Sequence, residues 1–374
     1  MNAWLPRTLV QWLALLIGIA ALVACVLLGL WREPKQAVLS WLYTFFFFTG
    51  LSLGSLALLM THSLTGGTWG WCIRAPLLAA ARQLPLVAVA AIPILVEMRL
   101  LYPWTLPAPD VQAQTPSWYL ADTFFIVRTV VYFAVWIVSL IAFTRNMDDR
   151  LIARRIAAPG LILFGLTSYL AATDWAMSLT PHWHSSVFGM MVGTGWMLVA
   201  CAFATATVTW SGGTNESATP DVLHDLGNML LMFVLAWAYL AFMQYLTIWI
   251  ADLPDEDAWY IPRTLTSWRY LAWFLIACNF VLPFLALLSR AAKRRHAWLR
   301  TIASMLVIAN VADAFWLIVP GLRPSGFTLH WTDLCAPLGL GALWWCGYLG
   351  QLRRARRVLA VPSNAVAGME RSHG

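Results

Sequence analysis

Charge is scarce in this chain. Of 374 residues, 11% are Asp, Glu, Lys or Arg, while 60% are hydrophobic. A soluble domain of this size could not keep so much apolar surface from water. Cysteine is sparse too, and its spacing is uninformative as a ligand set. Cys25, Cys72, Cys201, Cys278, Cys335 and Cys346 form no CxxC, no CxxCH and no zinc-like pattern. This argues against a metal site, an iron–sulfur cluster or a c-type haem held by this chain. Histidine is missing from where a membrane b-type haem would need it. His62, His182, His184, His224, His296, His330 and His373 all fall at the ends of apolar runs, in loops or in the tail. Cytochrome b and haem–copper oxidase cores are therefore poor readings, and if the protein belongs to electron transfer its redox centres belong to its partners. The first apolar run, ending Leu28-Gly29-Leu30-Trp31, lacks a small-residue cleavage pattern and is about twice the length of a secretory h-region. It reads as a transmembrane helix.

What the chain has instead is hydrocarbon in long runs. Ten stretches, near residues 8–30, 38–63, 75–97, 120–143, 156–179, 187–210, 226–250, 268–289, 299–320 and 331–352, each approach the roughly 20 residues that cross a bilayer as a helix. The expectation is an all-α integral membrane protein of about ten transmembrane helices. Its cations are sorted. Sixteen of the 24 Lys and Arg fall on the side of the termini, among them Arg74, Arg145, Arg150, Arg154, Arg155, Arg290 to Arg300 and Arg353 to Arg357. Six fall on the other side: Arg32, Lys35, Arg99, Arg263, Arg269 and Arg323. The positive-inside rule then puts both termini in the cytoplasm. The net charge of +7 is a topology signal, and nucleic-acid binding is not read from it.

Spans four and five resemble spans eight and nine. Ser117-Trp118-Tyr119-Leu120-Ala121 leads into one and Ser267-Trp268-Arg269-Tyr270-Leu271-Ala272 into the other. A basic loop follows each, and then an acid near an indole: Asp174-Trp175, and Asp313 with Trp316. Four spans per copy makes the copies parallel. The expected organisation is a first helix (1–37), a first four-helix bundle (38–180), a second (181–320) with a polar loop at 211–222, a last helix (321–352) and a basic tail (353–374).

Ionisable groups at membrane depth are costly and need a partner, a water-filled cavity or a function. Arg82 lies in span three, Arg128 in span four shortly after Asp122, Asp174 in span five and Asp313 in span nine, one turn after Asn310. Gln244 and Asn279 add amides, and His224 and Asp225 stand at a cytoplasmic mouth. One reading is a proton or ion route through these groups. The other is polar glue between helices, with Arg128 paired to Asp122 or Asp174 and Arg82 snorkelling to headgroups. His182-Trp183-His184 faces outward. Two histidines without a third ligand make a weak metal site, and interfacial packing explains them as well. The acidic run from Asp252 to Asp257 is either a docking patch for a basic partner or a solvated loop.

The segment from Thr173 to Gly189, TDWAMSLTPHWHSSVFG, resembles the signature of the F-type membrane subunit of alternative complex III, a bacterial quinol:electron-acceptor oxidoreductase. Further similarity lies in Asp225-Leu226-Gly227, in Trp237 to Phe242, in Gln244-Tyr245-Leu246, in Asn279-Phe280 with Pro283-Phe284, and in Asp313 to Pro320. The resemblance is good over 155–320 and looser before. It implies an NrfD-like fold, two four-helix bundles plus two helices, in a bacterial inner membrane. It implies a homologous membrane subunit, an iron–sulfur protein and haem c subunits as partners, with a terminal oxidase as a further one. This chain would hold no redox centre and would supply a proton route through Asp174 and Asp313. The neighbouring sister subunit would oxidise quinol; a further variant of the same resemblance keeps a quinone in an outer pocket of this chain near Asp174, His182 and His184, where a carboxylate or imidazole could accept a quinol proton. One departure stands out: Asn228 occupies a position where the family commonly has lysine. A secondary transporter and a purely structural scaffold are the competing readings.

Overall fold

The computed structural model describes residues 7–25, 29–105, 118–180, 183–210 and 218–359. Their regular structure is entirely helical. Among the described residues eight helices are long and apolar enough to cross a membrane, and the fold is that of an all-α integral membrane protein. They are α2 (Pro34–Thr65), α3 (Thr68–Val96), α4 (Asp122–Arg145), α5 (Arg150–Leu179), α6 (Phe188–Trp210), α7 (Pro220–Ala251), α8 (Trp268–Leu288) and α9 (His296–Gly321). The first and last expected spans are α1 (Arg7–Ala24) and α10 (Trp331–Leu359). These two pack along each other, and the close approach is made at Gly18, where a Cβ would come within 2.4 Å of the Ala342 methyl. The last helix runs on into its basic end at Arg353, Arg354 and Arg356, so its apolar part is shorter than its length suggests.

Local chemistry sets the ends. Pro34 opens α2, and Gly66 (φ +73°) and Gly67 (φ +99°) turn the chain into α3, a left-handed pair that side chains would strain. The Asp149 carboxylate accepts from the Leu151 and Ile152 N–H groups at 2.9 and 3.1 Å and caps α5. Two spans are irregular in mid-course. In α3 the helix gives way to turns at Arg82–Gln83 and at Ala91, each just ahead of a proline, Pro85 and Pro93. In α8 a π-helical stretch runs from Ile276 to Val281.

The spans form two sets with the same pairing. In the first, α2 packs on α3 and α5, while α4 lies between α3 and α5. In the second, α6 packs on α7 and α9, while α8 lies between α7 and α9. The leading helices, α2 and α6, pack on each other and join the two sets. Burial follows from this: 94% of the apolar window of α2 is buried, against 22% for α8 at the periphery. Peripheral apolar residues such as Val138, Leu166, Phe242 and Trp273 remain exposed, as a lipid-facing surface requires. The α2–α6 seam is made by Gly50 and Gly54. A Cβ on Gly50 would sit 2.0 Å from the Trp196 ring, and one on Gly54 would sit 2.1 Å from the Trp196 carbonyl oxygen. Small residues four apart let two backbones approach in a membrane, where dispersion and close contact replace the hydrophobic effect.

Candidate functional site

Two buried carboxylates, one in each set, lie in contrasting surroundings. Asp174, near the end of α5, is fully buried. Arg128 of α4 donates to both its oxygens, Nε to Oδ2 at 2.8 Å and Nη2 to Oδ1 at 2.9 Å. The Tyr132 hydroxyl donates a third bond at 2.8 Å. Arg128 also donates to the Tyr119 carbonyl and lies 3.9 Å from the Tyr119 ring centre and 4.5 Å from that of Phe124. Burial, with the Asp174 charge adding to it, pushes the Tyr119 phenol up to about 12. The acid is thus neutralised, bidentately held and roofed by aromatic rings, an arrangement that fixes geometry. Of the two partners the sequence left open for Arg128, the structure selects Asp174. Asp122 instead faces Arg99 at 3.2 Å on the exposed rim.

Asp313 of α9 has no cation among the described ion pairs. The Trp237 indole of α7 is a polar neighbour, and Asp313 is 6% exposed. It lines a small space of about 20 Å³ between α2, α6 and α9, with Phe46, Phe47, Trp196 and Asn310. That is about the size of one water. Asn310, one turn earlier on the same face, donates to Oδ1 of Asn279 at 3.1 Å and to the Leu306 carbonyl at 2.9 Å. Asn279 sits in the π-helical stretch of α8 and is fully buried, and its Nδ2 has no hydrogen-bond partner among the described residues. A single π-turn in an α-helix disturbs the backbone ladder and recurs at functional positions. The first set therefore presents Arg–Asp–Tyr, and the second presents Asn–Asn–Asp–Trp. Only the second leaves its carboxyl without a counter-charge, and it does so where the two sets meet.

The other residues singled out by sequence are scattered. Arg82 lies in the turn of α3 and reaches Oε1 of Gln351 in α10 at 3.5 Å. Gln244 is buried, accepting from Ser185 and donating to the Tyr260 hydroxyl, both at 3.4 Å. His224 lies 3.9 Å from Asp225 at the basic end and contacts Asn228 at 3.3 Å. His184 is exposed and its Nδ1 contacts the Trp183 carbonyl, whereas Asp174 is enclosed and engaged by Arg128 and Tyr132. Among the described residues no contact joins these two. His182 lies outside the described residues, as do positions 211–217 of the polar loop and 360–374 of the tail.

Sequence reasoning missed three polar constructions at the end opposite the basic loops. Arg263, counted only as an outer-loop charge, is 1% exposed. It donates to the Trp259 carbonyl at 2.7 Å and to the Leu317 and Trp316 carbonyls at 2.9 and 3.3 Å, with its guanidinium 3.6 Å above the Trp259 ring. A cation on the last carbonyls of a helix meets the negative end of its dipole. Burial pushes this guanidinium down to about 9, so it stays charged at neutral pH. Arg323 forms a second bidentate pair, with Asp333, both bonds at 2.9 Å. Ser40 also donates to this carboxylate, at 2.7 Å, and Gln36 at 3.1 Å. His330 meets Glu33 at 2.9 Å beside it. The aromatic flanks of Arg263 (Trp259, Tyr260, Trp268) were a readable sign that this loop arginine is covered. Nothing in the local sequence paired Arg323 with Asp333.

Compared with known proteins, the chain matches no family model and no curated protein.

Proposed function

We propose that this chain is the membrane subunit of a respiratory quinol:electron-acceptor oxidoreductase of the alternative complex III kind, in which it carries protons and holds no redox centre of its own. The reading of the complex rests on the motifs between Thr173 and Pro320. The proton reading rests on one observation: Asp313 is buried at the junction of the two helix sets with no described cation beside it. A carboxyl so placed can exist neutral or ionised, with the Asn310 amide, itself bonded to Asn279, and the Trp237 indole as its polar neighbours. Asp174, neutralised by Arg128, is assigned the structural share of the work. The departure from the family at Asn228 has a counterpart in space. Nζ of the buried Lys293 donates to Oδ1 of Asn228 at 2.6 Å, and its stem lies over Gly227, so an ammonium stands at that position from another helix. The homologous membrane subunit, iron–sulfur protein and haem c subunits belong to the same proposal.

The test is Asp313→Asn in the intact complex, reconstituted in vesicles and driven by quinol oxidation. Retained electron transfer with fewer protons moved per electron supports the reading. Unchanged proton stoichiometry removes Asp313 from any route, and purification of the chain without haem c and iron–sulfur partners removes the complex. The transporter reading draws on the interruptions in α3 and α8. These sit in the second span of one set and the third of the other, so they are not the matched pair that a repeat-built carrier uses.

A further inference from the structure

A cavity of about 250 Å³ opens between α1, α2, α3 and α10, well apart from both carboxylates. Val38 and Trp41 of α2, Val89, Ala90 and Pro93 of α3, and Leu343 of α10 line it. Its origin is the interruption in α3. Near Pro93 the Ile94 N–H turns back to the Ala91 carbonyl, and the freed Ala90 carbonyl accepts from the Trp41 indole at 2.8 Å. That bond staples the two walls together and removes the polar group from the surface, leaving a dry, fixed crevice. Val89 stands exposed at the mouth, on the side where lipid must lie.

The charge at one end of the crevice identifies its occupant. Lys35 is one turn before Val38 on α2, and the two share a face that Trp41 continues. Lys35 and the nearby Arg32 are exposed and take part in no ion pair among the described residues. The one acid between them, Glu33, is engaged by His330 at 2.9 Å. An apolar slot ending at a free cationic rim matches an anionic amphiphile. The indole of Trp41 is already used, so the slot offers no partner to a quinone carbonyl, and its open mouth at Val89 lets a linear chain lie in it partly enclosed.

We propose that this crevice holds one acyl chain of an anionic phospholipid, with the phosphate against Lys35 and Arg32. The bound molecule is then an integral part of the α1–α2–α3–α10 junction and is not exchanged with the surrounding bilayer on each encounter.

Native mass spectrometry of the full chain tests this, after delipidation and re-exposure to mixed micelles of phosphatidylglycerol and phosphatidylethanolamine. The wild type should retain one phospholipid, with phosphatidylglycerol preferred. Val89→Trp and Leu343→Trp, which fill the crevice from its mouth and from α10, should each lose it. Ile308→Trp, on the exposed face of α9, should keep it. Lys35→Gln should keep a bound lipid but reduce the preference for phosphatidylglycerol about fivefold, the equivalent of about 1 kcal/mol per cation at a charged membrane surface. Thermal unfolding of each variant separates loss of lipid from loss of fold. Equal retention in folded Val89→Trp or Leu343→Trp overturns the proposal, as does a retained isoprenoid in place of phospholipid, or no retained lipid in the wild type.

Discussion

Arg128 and Asp174 hold each other through two hydrogen bonds of 2.8 and 2.9 Å, and this pair fixes α4 against α5. Breaking it from one side leaves a charge stranded out of water, at a cost of about 3–5 kcal/mol. Arg128→Gln should therefore lower the apparent unfolding temperature in detergent steeply. Arg128→Gln combined with Asp174→Asn should recover more than half of the loss. A double-mutant cycle by thermal unfolding checks both, and additive losses would count against a coupled pair.

Asp313→Asn should behave differently. No described cation depends on this carboxyl, and the amide keeps a polar group of nearly the same size beside the Trp237 indole. The variant should fold within about 1 kcal/mol of the wild type. The contrast with Asp174→Asn, which strands Arg128, is the informative quantity. Equal destabilisation by the two changes would mean that both carboxyls are structural.

Much of this was legible in the sequence because bilayers impose simple rules. Length and apolarity located the spans, and the acids at 174 and 313 stood out because hydrocarbon tolerates few of them. The pairing of Arg128 was half legible. Asp122 is closer along the chain, but it lies at the first turn of α4 beside Arg99, whereas Asp174 is brought alongside by the packing of α5. The break in α3 was marked by Pro85 and Pro93, but no residue pattern announces a π-turn such as the one carrying Asn279. Arg263 was half legible from the indoles around it, whereas the Arg323–Asp333 pair was out of reach: a loop charge such as Arg323 looks solvated until the tertiary fold covers it, and Ser40 and Gln36, which close over this pair, come from a helix distant in sequence.

Arg263→Met should keep the stem packed on Trp259 while removing the donors to the Trp316 and Leu317 carbonyls at the end of α9. Uncapped, buried carbonyls cost about 1–3 kcal/mol each. Amide exchange should accelerate over residues 315–318, the last α-helical turn of α9 before its 3-10 end, with α4 and α5 unchanged. Exchange rates equal to wild type would show that the arginine does not hold that end.

Gly54→Ala should be among the most damaging conservative changes in the chain, because the added methyl meets backbone, the Trp196 carbonyl at 2.1 Å. Overpacking of this kind costs about 1–3 kcal/mol or more. Gly165→Ala in α5, where a Cβ would find open space, is the control and should be nearly silent. Unfolding temperatures of the two variants provide the comparison.

That contact at Gly54 and Gly50 restricts how the molecule can work. The two leading helices interlock at one residue, with the Trp196 indole against Gly50 and the Trp196 carbonyl against Gly54, so neither half can pivot or slide past the other without lifting Trp196 out of its notch. Motions open to such a frame are small: a side chain turning, a hydrogen bond reversing direction, a hydron stepping between neighbouring atoms. Large rocking of one half against the other is not among them.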